Sequence, residues 1–359
     1  MSKVYTYIGI GAVFLFGGWY GYFMLEQEVS LTHLLSSITA FFIPSTSVSA
    51  YKGHESLLFV GDVMLARKVE TYMSEKGASY PLSLIGDYLK SNTFVFGNFE
   101  GAIPVVHEHT PDLTFQFSVD PQFVPILKAN GFTDMTLANN HAYDYGYEGH
   151  TNAVEVLKTA GIGAHGSPSQ ITKDDIAYVT IDSVHVAVVP IYGVEEDVSM
   201  NAFKEVFAEA SAHSDFQIVS VHWGEEYSKQ NTLYQQKLAH AFIDMGVDAV
   251  IGHHPHVVEN IEVYKGAPIF YSLGNFIFDQ YWYEEVKTGL VVRLQYHAPN
   301  MQYTLVPVYS KDLAPEPLEG EARQTTLNSL SDISDTSLRD AVRTGVFELK
   351  APFLAIGPQ

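Results

Sequence analysis

Apolar and polar residues alternate in short blocks from residue 56 onward. Apolar runs of four to eight residues predict buried strands at 57–60, 93–96, 132–137, 176–181, 184–191, 216–221, 248–251 and 269–272. Asp182 and Ser183 predict a β-hairpin between two of them. Helical spacing appears at 121–130, 149–160 and 234–245, and Gly246 ends the last helix. Strands that alternate with helices indicate an α/β or layered α/β/α domain.

The N-terminus has a different pattern. Residues 5–25 carry no charged side chain, and a helix of that length spans about 30 Å, roughly one bilayer core. Lys3 precedes this segment, and Glu26 and Glu28 follow it. The positive-inside tendency then places residues 1–4 in the cytoplasm and the rest of the chain outside. We predict a single-pass cell-membrane anchor at 5–25 and a juxtamembrane segment at 26–55.

A second apolar stretch at 34–43 raises an alternative. Val48 and Ala50 follow it, and small residues in this spacing precede signal-peptidase cleavage sites. The stretch is short, however, and acidic rather than basic residues precede it. The pattern therefore favours an uncleaved anchor over cleavage and release.

Composition restricts the chemistry of any site. The 359 residues are 47% hydrophobic, enough for one large domain or two smaller ones. The formal net charge of −21 argues against nucleic acid as a partner, because phosphate backbones require a basic surface. It leaves anionic substrates open, since metal ions can supply positive charge. The chain has no cysteine, so any metal must be held by nitrogen and oxygen ligands.

Polar residues follow five of the predicted strands. In open α/β sheets, ligand sites gather at the carboxyl ends of the strands. Each residue also has an ordinary explanation, such as a helix cap, a turn, a histidine-rich surface loop or a hydrogen-bonded core histidine. Five such endings in one strand–helix series favour a shared site. The endings supply Asp62, Asn98, Glu100, Asn139, Asn140, His141, His222, His253, His254 and His256.

These donors suit divalent cations. Carboxylate, amide and imidazole groups together hold two ions of the Mn, Zn, Fe or Mg type, with Asp62 or Glu100 as bridging carboxylate. Two ions about 3.5–4 Å apart polarise a phosphoryl oxygen. His141 is then the candidate general acid for the leaving oxygen. Candidates for supporting the ligands or contacting substrate are Asn98, Asn139, Glu226, His253 and Asn275.

Six motifs in order carry a family resemblance. They are GDVML at 61–65, GNFE at 97–100, LANNH at 137–141 with DYG at 144–146, HWGEEY at 222–227, GHHPH at 252–256 and YSLGNFIFD at 271–279. Together they resemble the bacterial capsule-synthesis CapA family of poly-γ-glutamate biosynthesis over residues 56–308. That family is similar to the calcineurin-like metallophosphoesterases. The resemblance implies a layered α/β/β/α metallophosphoesterase-like sandwich with a dinuclear metal site, preceded here by one transmembrane helix.

The phosphoesterase pattern carries over where residues match. It implies His141 as the acid, and it implies as metal ligands Asp62, Asn140, His222, His254 and His256. Glu100 is a further expected ligand on the evidence of the strand endings alone. Met64 stands where the pattern has a ligand histidine, and a thioether is a poor ligand for hard cations. In the second motif, Glu100 stands at a different position from the carboxylate of the phosphoesterase pattern. Both residues agree with the CapA-like pattern, and one metal position is expected to be weaker or differently filled.

The resemblance and the anchor together predict function. We expect an externally facing, membrane-anchored protein of capsule or poly-γ-glutamate synthesis, acting as a dinuclear-metal hydrolase of phosphoester type. A non-catalytic accessory subunit of a polymer synthase or exporter, and a metal-dependent amide hydrolase acting on the polymer, stay open. Expected partners are the membrane, synthase or export subunits, and an anionic polymer or phosphoester substrate. The domain is expected at 56–308, and residues 309–359 are expected to form a C-terminal extension.

Overall fold

The computed structural model describes residues 55–194 and 200–351. The predicted anchor at 5–25 and the juxtamembrane residues 26–54 lie outside the described residues. Across the described ranges, no helix is both long enough and apolar enough to span a membrane.

Strands and helices alternate through most of the described chain. The strands are β1 Leu57–Val63, β2 Phe94–Phe99, β3 Asp134–Thr136, β4 Gly163–His165, β5 Ala177–Ile181, β6 Val184–Tyr192, β7 Phe216–His222, β8 Ala249–His253, β9 Ile261–Tyr264, β10 Ala267–Phe270, β11 Asn275–Ile277, β12 Thr288–His297, β13 Asn300–Lys311, β14 Ala314–Pro317 and β15 Val346–Lys350. The helices are α1 Arg67–Lys76, α2 Gly86–Lys90, α3 Pro125–Ala129, α4 Gly146–Thr159, α5 Met200–His213, α6 Leu233–Asp244, α7 Gly320–Ile333 and α8 Arg339–Thr344. Short 3-10 turns lie at Tyr80–Leu82, Pro121–Phe123, Lys173–Asp175, Glu285–Lys287 and Thr336–Leu338.

These strands form two sheets. The first has the order β14-β13-β12-β1-β2-β3-β4, with β11 paired to β1 and β15 to β13. The second has the order β5-β6-β7-β8-β10-β9. Strands β1 to β4 run parallel, and so do β6, β7, β8 and β10. The carboxyl ends of each parallel set therefore meet at one edge of its sheet.

Alternation along each central strand explains how the sheets pack. Leu57 and Phe59 point into a core between the two sheets, whereas Leu58 and Val60 point to the opposite face of the first sheet. Helices α1 and α4 cover that opposite face, and α5 and α6 cover the outer face of the second sheet. Burial of each such side chain contributes about 1.5–3 kcal/mol. The result is a mixed α/β sandwich with helices on both outer faces.

Two local predictions can be compared with the structure. The hairpin is confirmed: β5 and β6 pair antiparallel, and Asp182 and Ser183 both have positive φ, as tight hairpin turns require. The helix predicted at 121–130 is instead a 3-10 turn followed by the short helix α3. The reason is Pro125, which has no N–H to bond the carbonyl four residues earlier.

The C-terminal residues extend the sandwich. Strand β13 runs across the boundary predicted at residue 308, and β14 and β15 pair with it. Leu327 and Leu330 of α7 and Val342 of α8 pack into the core between the sheets. Residues 309–351 thus belong to the same folded body, because their apolar face completes its core.

Candidate metal centre

Strand register brings the predicted residues together. Asp62 of β1 pairs with Asn98 of β2 on one side and with Asn275 of β11 on the other. In the second sheet, His222 of β7 pairs with His253 at the end of β8. These positions lie at the carboxyl ends of parallel strands in both sheets, so the site lies where the two edges meet.

Asn98 lies at the centre of this cluster. Its Nδ2 donates to Asp62 Oδ1 at 2.8 Å and to Glu100 Oε1 at 2.9 Å, and it lies 3.1 Å from His222 Nδ1. Its Oδ1 accepts from Asn139 Nδ2 at 3.0 Å. One amide nitrogen has two hydrogens and cannot satisfy three acceptors, so the cluster has more acceptors than donors.

Two histidines border the Asp62 carboxylate. His253 Nδ1 lies 3.5 Å from Asp62 Oδ1, and His256 Nδ1 lies 3.2 Å from Asp62 Oδ2. Asn275 Oδ1 is 3.0 Å from the same His256 nitrogen, and the Asn275 amide donates to Gln280 Oε1 and Val286 O. Asn275 therefore orients the His256 ring.

The backbone of this histidine segment is strained. His254 has a φ of 99° and His256 a φ of 59°, in the left-handed region that favours glycine. Such residues cost about 1–3 kcal/mol each and concentrate at functional sites. In this conformation, ligand atoms of Glu226, His254 and His256 lie within 4.8 Å of one another.

His222 and Asn140 meet across the site. His222 Nε2 lies 2.7 Å from Asn140 Oδ1, although Asn140 itself is exposed. Burial, together with the neighbouring charge of His254, lowers the pKa of His222 well below its usual value. Burial and His256 likewise lower the pKa of His254 to about 4. Both imidazoles are thus neutral at physiological pH, the form that binds metals.

The two buried carboxylates titrate in opposite directions. Burial favours the neutral form of Asp62, but hydrogen bonds and charges of His253 and His256 outweigh it and hold the pKa of Asp62 well below the usual value. Burial and the adjacent Asp62 charge raise the pKa of Glu100 well above its usual value. Ionisation of both carboxylates at once is therefore unfavourable unless a cation lies between them.

The unsatisfied atoms test whether divalent cations fit. Glu100 Oε2, His253 Nε2 and His254 Nδ1 are buried and have no hydrogen-bond partner within residues 55–194 and 200–351. A buried polar atom without a partner costs about 1–3 kcal/mol. Ligand atoms of Asp62, Glu100 and His256 also lie within 4.8 Å of one another. Oxygen and imidazole donors of this kind fit Mn, Zn, Fe or Mg ions.

His141 lies beside this cluster with one ring nitrogen engaged. Its Nδ1 is 3.0 Å from Asp144 Oδ2, which also accepts from Phe117 N at 2.6 Å. The Phe117 ring packs 4.1 Å from the imidazole, and Asn139 Oδ1 accepts from His141 N. A carboxylate only accepts, so Nδ1 carries the proton and Nε2 is free for proton exchange.

Several residues next to the site were not predicted from the sequence. Asp144 belongs to the DYG motif, but the sequence analysis assigned it no role. A carboxylate three residues after a histidine is nevertheless a recognisable signal for a residue that orients the imidazole. Arg67 is buried, ion-paired with Asp279 and stacked over Phe117 at 4.7 Å. Tyr227 lies 6.2 Å from the His256 ring. Long-range contacts of this kind leave no local pattern.

Met64 departs from the phosphoesterase pattern, which has a ligand histidine at this position. Met64 is fully buried, and its sulfur accepts from Ala66 N at 2.9 Å. Its thioether is therefore committed to the backbone. Trp282 and Tyr283 contact Tyr227 at the rim of the site, whereas the neighbouring Tyr281 bonds to Ser310.

Comparison with known proteins agrees with this geometry. Residues 56–280 match the family model described as bacterial capsule synthesis protein PGA_cap. The chain is 33% identical to the PGA biosynthesis protein CapA of Bacillus subtilis, with 76% of each chain covered. It is 32% identical to the capsule biosynthesis protein CapA of Bacillus anthracis, covering 73% of this chain and 69% of that one. A probable polyglutamine synthesis accessory protein of Mycobacterium tuberculosis is 29% identical, covering 51% and 54%. The chain therefore belongs to the bacterial capsule synthesis protein family PGA_cap.

Proposed function

We propose that this protein is a dinuclear-metal hydrolase of phosphoester type that serves capsule or poly-γ-glutamate synthesis. The observation that carries the proposal is the buried set of unpartnered carboxylate and imidazole atoms at the joined edges of the two sheets. Membership of the capsule synthesis family, and the names of the two CapA relatives, support the biological setting.

Each residue has a chemical task in this proposal. The metal ligands are Asp62, Glu100, Asn140, His222, His254 and His256, with Glu226 and His253 adjoining them. Divalent ions held by such a set supply Lewis-acid polarisation of a phosphoryl or carbonyl group. Asn98 and Asn139 hold the carboxylates and the His141 backbone in place. His141 protonates the leaving oxygen through Nε2 as a doubly protonated imidazolium, and the Asp144 carboxylate holds the Nδ1 proton and stabilises that cation.

The site rim favours an extended polar substrate. Trp282 and Tyr283 are about half exposed, at 42% and 56%, and Tyr227 links them to His256. Aromatic rings of this kind pack against chain-like ligands while their polar atoms stay hydrated. We place the protein outside the cell, tethered by residues 5–25, where an anionic surface polymer and its synthase or export subunits are accessible.

Metal analysis joined to product analysis tests the proposal. The full-length chain should retain one or two transition-metal equivalents at this centre after dialysis, and His254→Ala with His256→Ala should lose them. The matched control is His185→Ala with His213→Ala, since both histidines are exposed. Hydrolysis should appear on a phosphodiester substrate; release of glutamate from γ-glutamyl oligomers instead would identify an amide hydrolase. A chain that binds no metal would refute the proposal.

An accessory role is the second candidate. Met64 occupies a ligand position and is committed to the backbone, so one metal position lacks a donor. One relative is itself named an accessory protein. His141→Ala separates the two roles: if metal still binds and polymer output is unchanged, the protein acts without His141 chemistry and the accessory role is correct.

A further inference from the structure

A second group of potential ligands lies apart from the metal centre and shares no residue with it. Glu70 lies on α1, and His107 and Asp120 lie within the segment between β2 and α3. His107 Nε2 is 2.9 Å from Glu70 Oε1 and 4.0 Å from Asp120 Oδ2. One ligand atom from each residue lies within 4.8 Å of the others. Two ligands bonded to one ion at about 2.1 Å lie roughly 3–4 Å apart, so these distances suit a shared ion.

Glu70 provides independent evidence for a cation at this position. The residue is 6% exposed, and its Oε2 is buried with no hydrogen-bond partner in the part of the chain that the structure describes. A proton on His107 satisfies only Oε1 and leaves this oxygen unpaired. A cation between the three residues gives this oxygen a partner, and a buried polar atom without one is unfavourable.

His107 is oriented as metal-binding histidines are. Its Nδ1 lies 2.7 Å from the hydroxyl of the buried Ser118, so the ring is fixed with Nε2 toward the two carboxylates. In metal-binding histidines, the ring nitrogen that does not bind the ion commonly forms such a hydrogen bond, which fixes the ring orientation. The His107 and Asp120 side chains are 16% and 17% exposed, which leaves an open side for water to complete the coordination.

We propose that Glu70, His107 and Asp120 form a second binding site for a divalent transition cation. One imidazole and two carboxylates suit Zn²⁺ or Mn²⁺. The ion joins α1 to the segment at 101–120, and that segment carries Phe117, which packs on His141 and donates to Asp144. The ion thus holds in place the segment whose Phe117 ring packs against the His141 imidazole. The three ligands themselves do not contact the reacting atoms.

Stoichiometry tests the site. Full-length chain is stripped with chelator and titrated with Zn²⁺, then with Mn²⁺, and bound metal is counted after gel filtration. His107→Gln should bind one equivalent fewer than the parent chain. His109→Gln is the matched control: it lies on the same segment, is exposed, and its ring nitrogen is hydrogen-bonded to the Thr71 hydroxyl. It should bind the full number.

Asp120→Asn is a second test variant, which keeps the proposal testable if His107→Gln does not fold. Asp120 Oδ1 accepts from Gln122 N, and an asparagine oxygen keeps that hydrogen bond while losing the ligand charge. It should bind the same equivalent more weakly. The count is independent of the main centre, because His254→Ala with His256→Ala should keep the equivalent that His107→Gln loses. Equal metal counts in the parent chain, His107→Gln and Asp120→Asn would overturn the proposal.

Discussion

Replacing Glu100 by glutamine should raise the stability of the metal-free protein and greatly reduce its stabilisation by metal. In the metal-free protein, Glu100 is fully buried, its Oε2 has no partner among the described residues, and the Asp62 carboxylate lies nearby. Glutamine keeps the hydrogen bond from Asn98 and carries no charge. With metal present, the same change removes an anionic ligand.

The size of the lost response can be worked out. An ion at about 100 times its Kd stabilises the folded state by about 2.7 kcal/mol. The described fold has roughly 300 residues and an unfolding entropy of about 2.1 cal/mol/K per residue, or about 0.6 kcal/mol/K in total. Metal should therefore raise the Tm of the parent protein by about 4 °C, and that of Glu100→Gln by much less.

Thermal unfolding in chelator and in excess Mn²⁺ measures both effects. Glu259→Gln is the matched control, because Glu259 is also buried with an unpartnered oxygen and lies outside the centre. Both variants should unfold at a higher temperature than the parent in chelator. Only Glu100→Gln should lose its metal response. If Mn²⁺ stabilises it as much as the parent, Glu100 is no ligand and the reasoning is wrong.

Three further predictions concern single residues. Asp144→Asn should reduce hydrolysis by about 10²–10⁴-fold with metal content unchanged, because His141 loses its fixed tautomer; equal turnover would contradict this. Gly252→Ala should destabilise by more than about 3 kcal/mol in denaturant unfolding, since its Cβ would lie 1.9 Å from the carbonyl oxygen of Tyr271; Gly246→Ala, where nothing lies within 4 Å, should lose only about 1–2 kcal/mol from its positive φ. Burial raises the pKa of Asp248 to about 7 from 3.8, so ionisation of the unfolded chain lowers stability progressively from about pH 4 to 7. Asp248→Asn should therefore raise Tm more at pH 8 than at pH 4, and a pH-independent gain would refute that explanation.

The location of the centre explains why it tolerates so many buried polar groups. The sheets contribute different donors: the first supplies Asp62, Asn98 and Glu100, and the second supplies His222 and His253. The buried carboxylates Asp62 and Glu100 come from the first edge, and the imidazoles of His253 and His222 that border them come from the second. The packing of the sheets, which the core between them stabilises, therefore also assembles the candidate metal site.

The amino-acid sequence by itself determined the local features. Continuous apolar runs predict β1, β2, β6, β7 and β8, because a strand that is covered on both faces has apolar side chains on both. The residues at their carboxyl ends predict the members of the candidate centre, since parallel strands end at a common edge.

The tertiary structure decided what depends on distant contacts. It placed Asp144 on His141, Arg67 on Asp279 and Met64 on the backbone, and it drew residues 309–351 into the first sheet. The Glu70–His107–Asp120 group likewise joins positions 50 residues apart through packing. Such pairings have no periodic signal, because they arise only when the free energy of burying two sheets against each other fixes which segments become neighbours.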